Sequence, residues 1–306
     1  MASKSVFSMG QRLTGSRGTY KISKQFSEFV YLASSSQETP VVIKHAAGHW
    51  RLGSERDALR RFKNDSRVIR PFLDEIKGPS EPQSIVLEYL ADDLRDAGKK
   101  QGRLTRQDTK YQGYVHCDIK PRNVLVNYGA GTPNIFSDVK LADLGCVAHQ
   151  DSKFARAGKM TGTSVFRAPE VHLGEPWGTP SDIWSFGVTI LGLIWGHNFH
   201  VLEPEVPEAH KNYDVTVVVN QHVIFGPFPD SLAEICSEGT WEDVKLLMSR
   251  VPFEWTKPFR WITEREICNE DKAFMLRVMR LDPRDRPTAD ELLEDEWFAE
   301  TSERTH

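Results

Sequence analysis

The sequence predicts an α+β chain folded as two lobes, a small β-rich N-lobe and a larger helical C-lobe. Three observations predict it. Strand-like alternation is concentrated before residue 90, and helical patterns dominate after it. A chain of 306 residues is long enough for two lobes with substantial cores. The 39% hydrophobic share against 27% charged is that of a folded chain, not a disordered tail.

Residues 1–19, rich in Ser, Gly, Arg and Lys, read as a loose lead-in. From Tyr20 the texture changes. YKISKQ and FVYLAS alternate apolar and polar residues, and PVVIKHA adds a β-branched run, so an antiparallel meander is expected. SERDALRRF, Ser54 to Phe62, has helical spacing with Ala58, Leu59 and Phe62 on one side. SIVLEYL, Ser84 to Leu90, is a short apolar strand, and the lobes should join near residues 88–93. The N-lobe then covers 20–90 and the C-lobe 91–299, with a tail at 300–306. Within the C-lobe, Ser181 to Gly196 is apolar nearly all round, as expected of a helix at the centre of a helical lobe. No internal repeat or low-complexity tract interrupts this order.

Composition excludes several classes. Net charge is −4, from 39 basic and 43 acidic side chains, which argues against a dedicated nucleic-acid binder. The four cysteines are scattered without a C-x-x-C pair, against a metal cluster or disulfide framework and for a reducing compartment. A cytoplasmic or nuclear location is the expectation. MASKSVFSMGQRL has no apolar core of the kind a signal peptide needs. Phe186 to Gly196, the longest near-apolar run, is too short to cross a bilayer, so no membrane insertion is expected. Oligomeric state leaves no mark in the sequence.

The chemistry is concentrated in VHCDIKPRNVLV, Val115 to Val126, which places Asp118, Lys120 and Asn123 within six residues. Twenty residues after Asn123 comes Asp143 in LADLG, followed by GTSVFRAPE, by Asp182 in SDIWSFG, and by Arg286 in LDPRDRPTADELL. Taken singly, D-x-G or R-P is worthless. Five signatures in order across about 170 residues are not, and the set resembles the protein kinases. The resemblance implies a two-lobed phosphotransferase using ATP and Mg²⁺ on Ser/Thr hydroxyls of a protein substrate. The alternative is a pseudokinase, a nucleotide-binding or protein-interaction module on the same fold.

That resemblance assigns roles residue by residue. Asp118 would accept the hydroxyl proton, Lys120 would sit by the transferring phosphate, and Thr163 would hydrogen-bond toward both. Lysine two residues after the aspartate resembles serine/threonine kinases. Asn123 and Asp143 supply the hard oxygens that Mg²⁺ prefers. Lys44 in PVVIK would be the α/β-phosphate ligand, and its partner would be Glu55; a surface salt bridge is the alternative for Glu55. Leu87 would guard the back pocket, Glu88 to Leu90 would offer the adenine-binding backbone, and Asp93 could reach the ribose. Val30, Val42 and Leu125 would sandwich the adenine, or simply pack a core. His116, Asp182 and the Glu170–Arg286 pair would hold the lobe together without touching substrate.

Four departures mark a divergent, fungal-like member. The phosphate loop, placed by Val30 at Phe26 to Phe29, contains no glycine; Gly15 and Gly18 lie out of register. Cys117 stands where an arginine commonly receives an activation-loop phosphate, which argues against that form of control. Only 26 residues separate Leu90 from His116, against about forty in the family, so the helix before the catalytic loop is missing near 111–112. The intact flanks favour an omitted coding segment over decay. The long stretch from Asp182 to Arg286 resembles the group containing the cyclin-dependent and SR-protein kinases.

Overall fold

The computed structural model describes residues 6–45, 50–62, 69–76, 84–93, 96, 113–129, 136–196 and 199–298. The chain divides into two compact units, Met1–Leu94 with Arg122–Val147, and Arg95–Pro121 with Ala148–His306. Residues 122–147, which sequence order assigns to the helical lobe, thus belong with the strands. The junction at 111–112 lies outside the described residues.

The first unit is built on an antiparallel sheet of six strands: β1 (Arg12–Thr14), β2 (Thr19–Ser27), β3 (Val30–Ser35), β4 (Pro40–His45), β5 (Phe72–Ile76) and β6 (Ser84–Glu88). Their order is β1-β2-β3-β4-β6-β5, and a bridge from Gly15 to Ile76 brings the two edges together. The alternation in the sequence divides the sheet into two faces. Tyr31, Ala33, Val41, Ile43 and Val86 turn to a core completed by Phe7, Leu13, Tyr20 and Ile22. Val30 pairs with Lys44 and Val42 with Leu87, so these four share the opposite face.

Residues 6–19 are not the loose lead-in expected from their composition. Phe7 and Leu13 are core residues, and the turn after β1 is tied to the buried carboxylate of Asp74. Asp74 accepts the backbone N–H groups of Ser16 and Arg17 and the Tyr20 hydroxyl, at 3.1, 2.8 and 2.8 Å. Those are long-range contacts, which local composition does not announce. Helix α1 (Trp50–Arg61) begins a turn earlier than expected, and buries Leu52, Glu55 and Leu59 along one stripe. The hairpin Val124–Tyr128 and Phe136–Leu141 pairs with Asp92–Asp93 in a second small sheet.

The second unit is organised around the helix Pro180–Trp195, which ends at Gly196 with φ 70°, the left-handed conformation that suits glycine as a stop. Trp184, Val188 and Leu191 are buried. At Gly187 the helix approaches Val278 and Met279 so closely that a Cβ would lie 2.7 and 2.3 Å from their side chains. The stretch expected to carry an insert folds as the helices Tyr213–Phe225 and Glu238–Arg250. No described helix is long and apolar enough to cross a membrane.

Glu170 and Arg286 form a bidentate pair, 2.8 Å on each arm, with both side chains almost wholly buried. Ser181 Oγ also donates to Glu170, and Arg286 donates to the carbonyls of Pro180, Arg280 and Leu281. All five guanidinium N–H donors and both Glu170 oxygens are therefore paired, which is the condition under which a buried pair is tolerated. Removing one partner strands the other. Arg286→Met should lower the unfolding free energy by about 3–5 kcal/mol, read by urea denaturation, and adding Glu170→Gln should restore part of the loss.

Candidate functional site

The predicted site residues fall into two groups, one in each unit. In the first unit, Lys44 on β4 points from the sheet face opposite the core. Its Nζ lies 2.7 Å from Glu55 Oε2 and 2.7 Å from Asp143 Oδ1. Glu55 is only 2% exposed, so it is not a surface residue on α1. Burial works to lower the Lys44 pKa, but Glu55 and Asp143 outweigh it and hold the ammonium charged above its ordinary range. Burial, joined by the negative charge of Asp143, pushes the Glu55 carboxyl up, and Lys44 beside it opposes that.

Asn123 and Asp143 flank the open end of the hairpin. The Asn123 carbonyl accepts the backbone N–H of Ala142 at 2.8 Å, which ties the start of one strand to the end of the other. Asp143 has φ 62°, and its side chain remains about half exposed while bonded to Lys44. The pair offers one carboxylate and one amide oxygen, the donor set of a hard cation.

Of the remaining residues of the first group, Val30, Val42 and Leu87 share the sheet face of Lys44, Glu88 pairs with Val41, and Leu125 and Asp93 belong to the small sheet. Val42 and Leu87 are buried, while Val30 and Leu125 are half-buried. Leu90 is buried, and Asp93 pairs with Leu125 in the small sheet. Glu88 carries more contacts than its sequence suggests. Its carboxylate accepts Lys140 Nζ at 2.9 Å, and its backbone carbonyl accepts Arg70 Nε at 2.7 Å. Burial lowers the Arg70 guanidinium to about 10, against the pull of Glu55, Glu88 and Asp143. Sequence reasoning missed Arg70 and Lys140.

The glycine turn at Gly15 to Gly18 is tied to Asp74 and Glu75 on β5. The segment Phe26 to Phe29 is the end of β2 and a tight turn at Glu28 and Phe29, closed by the pairing of Ser27 with Val30.

In the second unit, Asp118, Lys120 and Thr163 form a closed triangle. Lys120 Nζ donates to Asp118 Oδ2 and to Thr163 Oγ1, both at 2.7 Å. Thr163 Oγ1 donates in turn to Asp118 Oδ1 at 2.8 Å, and the Thr163 backbone N–H donates to the same oxygen at 3.1 Å. The turn carrying Asp118 is held from behind by Asp182, which accepts the backbone N–H groups of His116 and Cys117 at 2.6 and 3.0 Å. Cys117 has φ 66° in that turn. A Cβ on Gly162 would come within 2.2 Å of the Cys117 carbonyl, so only glycine permits this approach.

The segment from Ala148 to Ala168 is anchored mainly by rings and backbone. Ala148 and His149 pair with Val115 and Tyr114, and the Tyr114 and His149 rings meet edge-on at 5.0 Å. Trp177 Nε1 donates to the Lys159 carbonyl at 2.9 Å, and its ring packs against Phe154. Arg167 donates to the carbonyls of Thr161 and Gly162, at 2.8 and 2.9 Å, and pairs with Asp214 at 3.3 Å.

Comparison with known proteins decides the family. The family pattern described as a protein kinase domain matches residues 41–298. The chain belongs to the protein kinase family. Mitogen-activated protein kinase HOG1 of Scheffersomyces stipitis is 29% identical over 181 residues, covering 58% of this chain and 41% of that protein. The chain thus spans about two-fifths of the length of that curated relative. Mitogen-activated protein kinase HOG1 of Wallemia muriae is 26% identical over 264 residues, 79% of this chain and 84% of that one. A chain of the CAK complex of Chaetomium thermophilum superposes with a TM-score of 0.66 at 24% identity, over 94% of this chain and 93% of that one. That likeness shows the two-lobed α+β kinase fold.

One residue of this kinase domain ties the segment from Ser164 to Arg167 to pH. His172 donates from Nε2 to the Ser164 carbonyl at 3.0 Å, while Nδ1 faces Arg167 at 3.5 Å. Burial, then the charge of Arg167, hold it down to about 4, so the folded state keeps it neutral. Its stabilisation is present in full above its ordinary 6.5 and is lost as pH falls through about 4. Between those limits the unfolding free energy should fall by up to about 3 kcal/mol more in the natural chain than in His172→Gln. Parallel denaturant titrations across that range would check it; superimposable slopes would remove His172 from the account.

Proposed function

We propose that the chain is a Ser/Thr protein kinase transferring the γ-phosphoryl group of ATP to Ser or Thr hydroxyls of protein substrates. The observation that carries this reading is the triangle of Asp118, Lys120 and Thr163. A carboxylate held by two neighbouring donors keeps one fixed orientation, from which it orients a hydroxyl and accepts its proton. Lys120 brings a positive charge to the same point, where the phosphoryl group gains negative charge on its oxygens. Its position two residues after Asp118 supports serine and threonine as acceptors. Lys44, kept charged by Glu55, serves the α- and β-phosphates. Asn123 and Asp143 would hold Mg²⁺, which when bound neutralises phosphate charge. The Chaetomium CAK complex is bound to ATP-gamma-S, which supports ATP as the donor. A reducing compartment, cytoplasm or nucleus, fits the four free cysteines.

Asp118→Asn should reduce transfer by at least about 10²-fold while leaving ATP affinity within about twofold, because it removes the proton acceptor and no phosphate ligand. Asp143→Asn should instead weaken the Mg²⁺-dependent part of ATP binding. Phosphorylation of a generic protein substrate and calorimetry separate the two. Tight ATP binding by a natural chain that transfers nothing would mark a pseudokinase.

The Lys44–Glu55 pair should show coupling of about 0.5–3 kcal/mol in a double-mutant cycle of Lys44→Met and Glu55→Gln, measured on ATP affinity. Strictly additive effects would mean that Glu55 does not act through Lys44.

A further inference from the structure

Arg70 sits at the start of the segment leading into β5. Its backbone N–H donates to the Leu141 carbonyl at 3.0 Å, next to the bridge between Ile69 and Leu141. Its side chain ends on the Glu88 backbone, with Nε 2.7 Å from the carbonyl oxygen. Glu88 cannot easily turn that carbonyl elsewhere. Its N–H donates to the Pro71 carbonyl at 3.1 Å, and its carboxylate holds Lys140 at 2.9 Å. Two of the three charges acting on the guanidinium, Glu55 and Asp143, are the carboxylates that grip Lys44. The guanidinium therefore lies toward the Lys44 side of the unit, among the residues assigned to the nucleotide.

The consequence concerns the base. The strand end from Glu88 to Leu90 was assigned as the adenine-binding backbone, and its first acceptor would be the Glu88 carbonyl. Adenine presents a 6-amino group there, which can only donate. A carbonyl has two lone pairs, and one of these already holds a charged donor at 2.7 Å, so an amino group seeking the other would meet a cation at the same oxygen. A 6-oxo group has the opposite character: it accepts, and guanidinium offers five N–H donors in a fixed fork.

We propose that Arg70 is a specificity-determining residue that replaces the acceptor at the base edge with a donor, so that a 6-oxopurine nucleotide such as GTP is taken at least as well as ATP. The inference rests on the nucleotide site proposed above. It goes beyond that reading in naming the base that the site prefers and the side chain responsible.

Calorimetry of the full chain with Mg²⁺ and three nucleotides tests it: ATP, GTP, and purine riboside triphosphate, which lacks the 6-amino group. GTP should bind at least as tightly as ATP, and deleting the amino group should leave affinity within about twofold, since no hydrogen bond is lost. Arg70→Met keeps bulk without donors and should shift the ATP-to-GTP ratio toward ATP by about tenfold, the value of one such hydrogen bond. Three results overturn the role of Arg70. They are tighter binding of ATP than of GTP by the natural chain, a loss of more than about twofold on deleting the amino group, or an unchanged ratio in Arg70→Met. The first two need no variant and decide the matter even if Arg70→Met fails to fold. Failure of all three nucleotides to bind would instead overturn the nucleotide site itself, and this inference with it.

Discussion

One carboxylate, Asp182, holds the turn that carries Asp118. It accepts two consecutive backbone N–H groups, from His116 and Cys117, and so fixes a local path that the chain would not choose unaided. Cys117 adopts a left-handed φ there, which costs a side-chain-bearing residue about 1–2 kcal/mol. Two hydrogen bonds to an ionised acceptor offset that. Burial pushes the Asp182 carboxyl up, while His116 and the same two N–H groups draw it back toward its charged form. The rest follows in order. Asp118 emerges from the turn with its own N–H on His116 Nδ1, Gly162 passes within reach of the Cys117 carbonyl, and Thr163 then meets Asp118 twice.

The first unit solves a different problem, that of keeping a lysine charged while largely enclosed. Alternation along β4 places Val41 and Ile43 in the core and Val42 and Lys44 on the other face. Three positions of helical spacing bring Leu52, Glu55 and Leu59 to one side of α1, so the apolar residues that dock the helix also deliver the carboxylate. The acid is thus positioned by packing, and the lysine by strand register. Neither placement depends on the pair having formed first.

Much of this was legible in the sequence, and the failures have physical causes. The strands at Tyr20, Val30 and Pro40 follow a two-residue period that one buried face imposes, and the central helix announces itself by being apolar all round. Asp118, Lys120, Thr163, Asn123 and Asp143 could be singled out because the chemistry proposed for them needs particular residue types at particular spacings. Residues 6–19 were misjudged because their order comes from Asp74, more than fifty positions away in the chain. The grouping of 122–147 with the strands reflects sheet pairing, which local pattern does not encode. Arg70 left no trace at all. Its partner is a backbone carbonyl, and every residue has one.

The anchoring of the segment from Ala148 to Ala168 has a consequence for how the protein responds to its surroundings. Ring edges, an indole N–H on a carbonyl and a short backbone ladder carry its first half, Ala148 to Lys159, and none of these interactions is screened by dissolved ions. A phosphate-dependent latch would loosen as salt rises and vanish when the phosphate is removed. This one is governed by hydrophobic burial instead, and so weakens with cold and with chaotropes. The first half of the segment is in that sense a thermal element of the fold, whereas Thr163 and Arg167 in its second half answer to the charges of Asp118, Lys120 and Asp214.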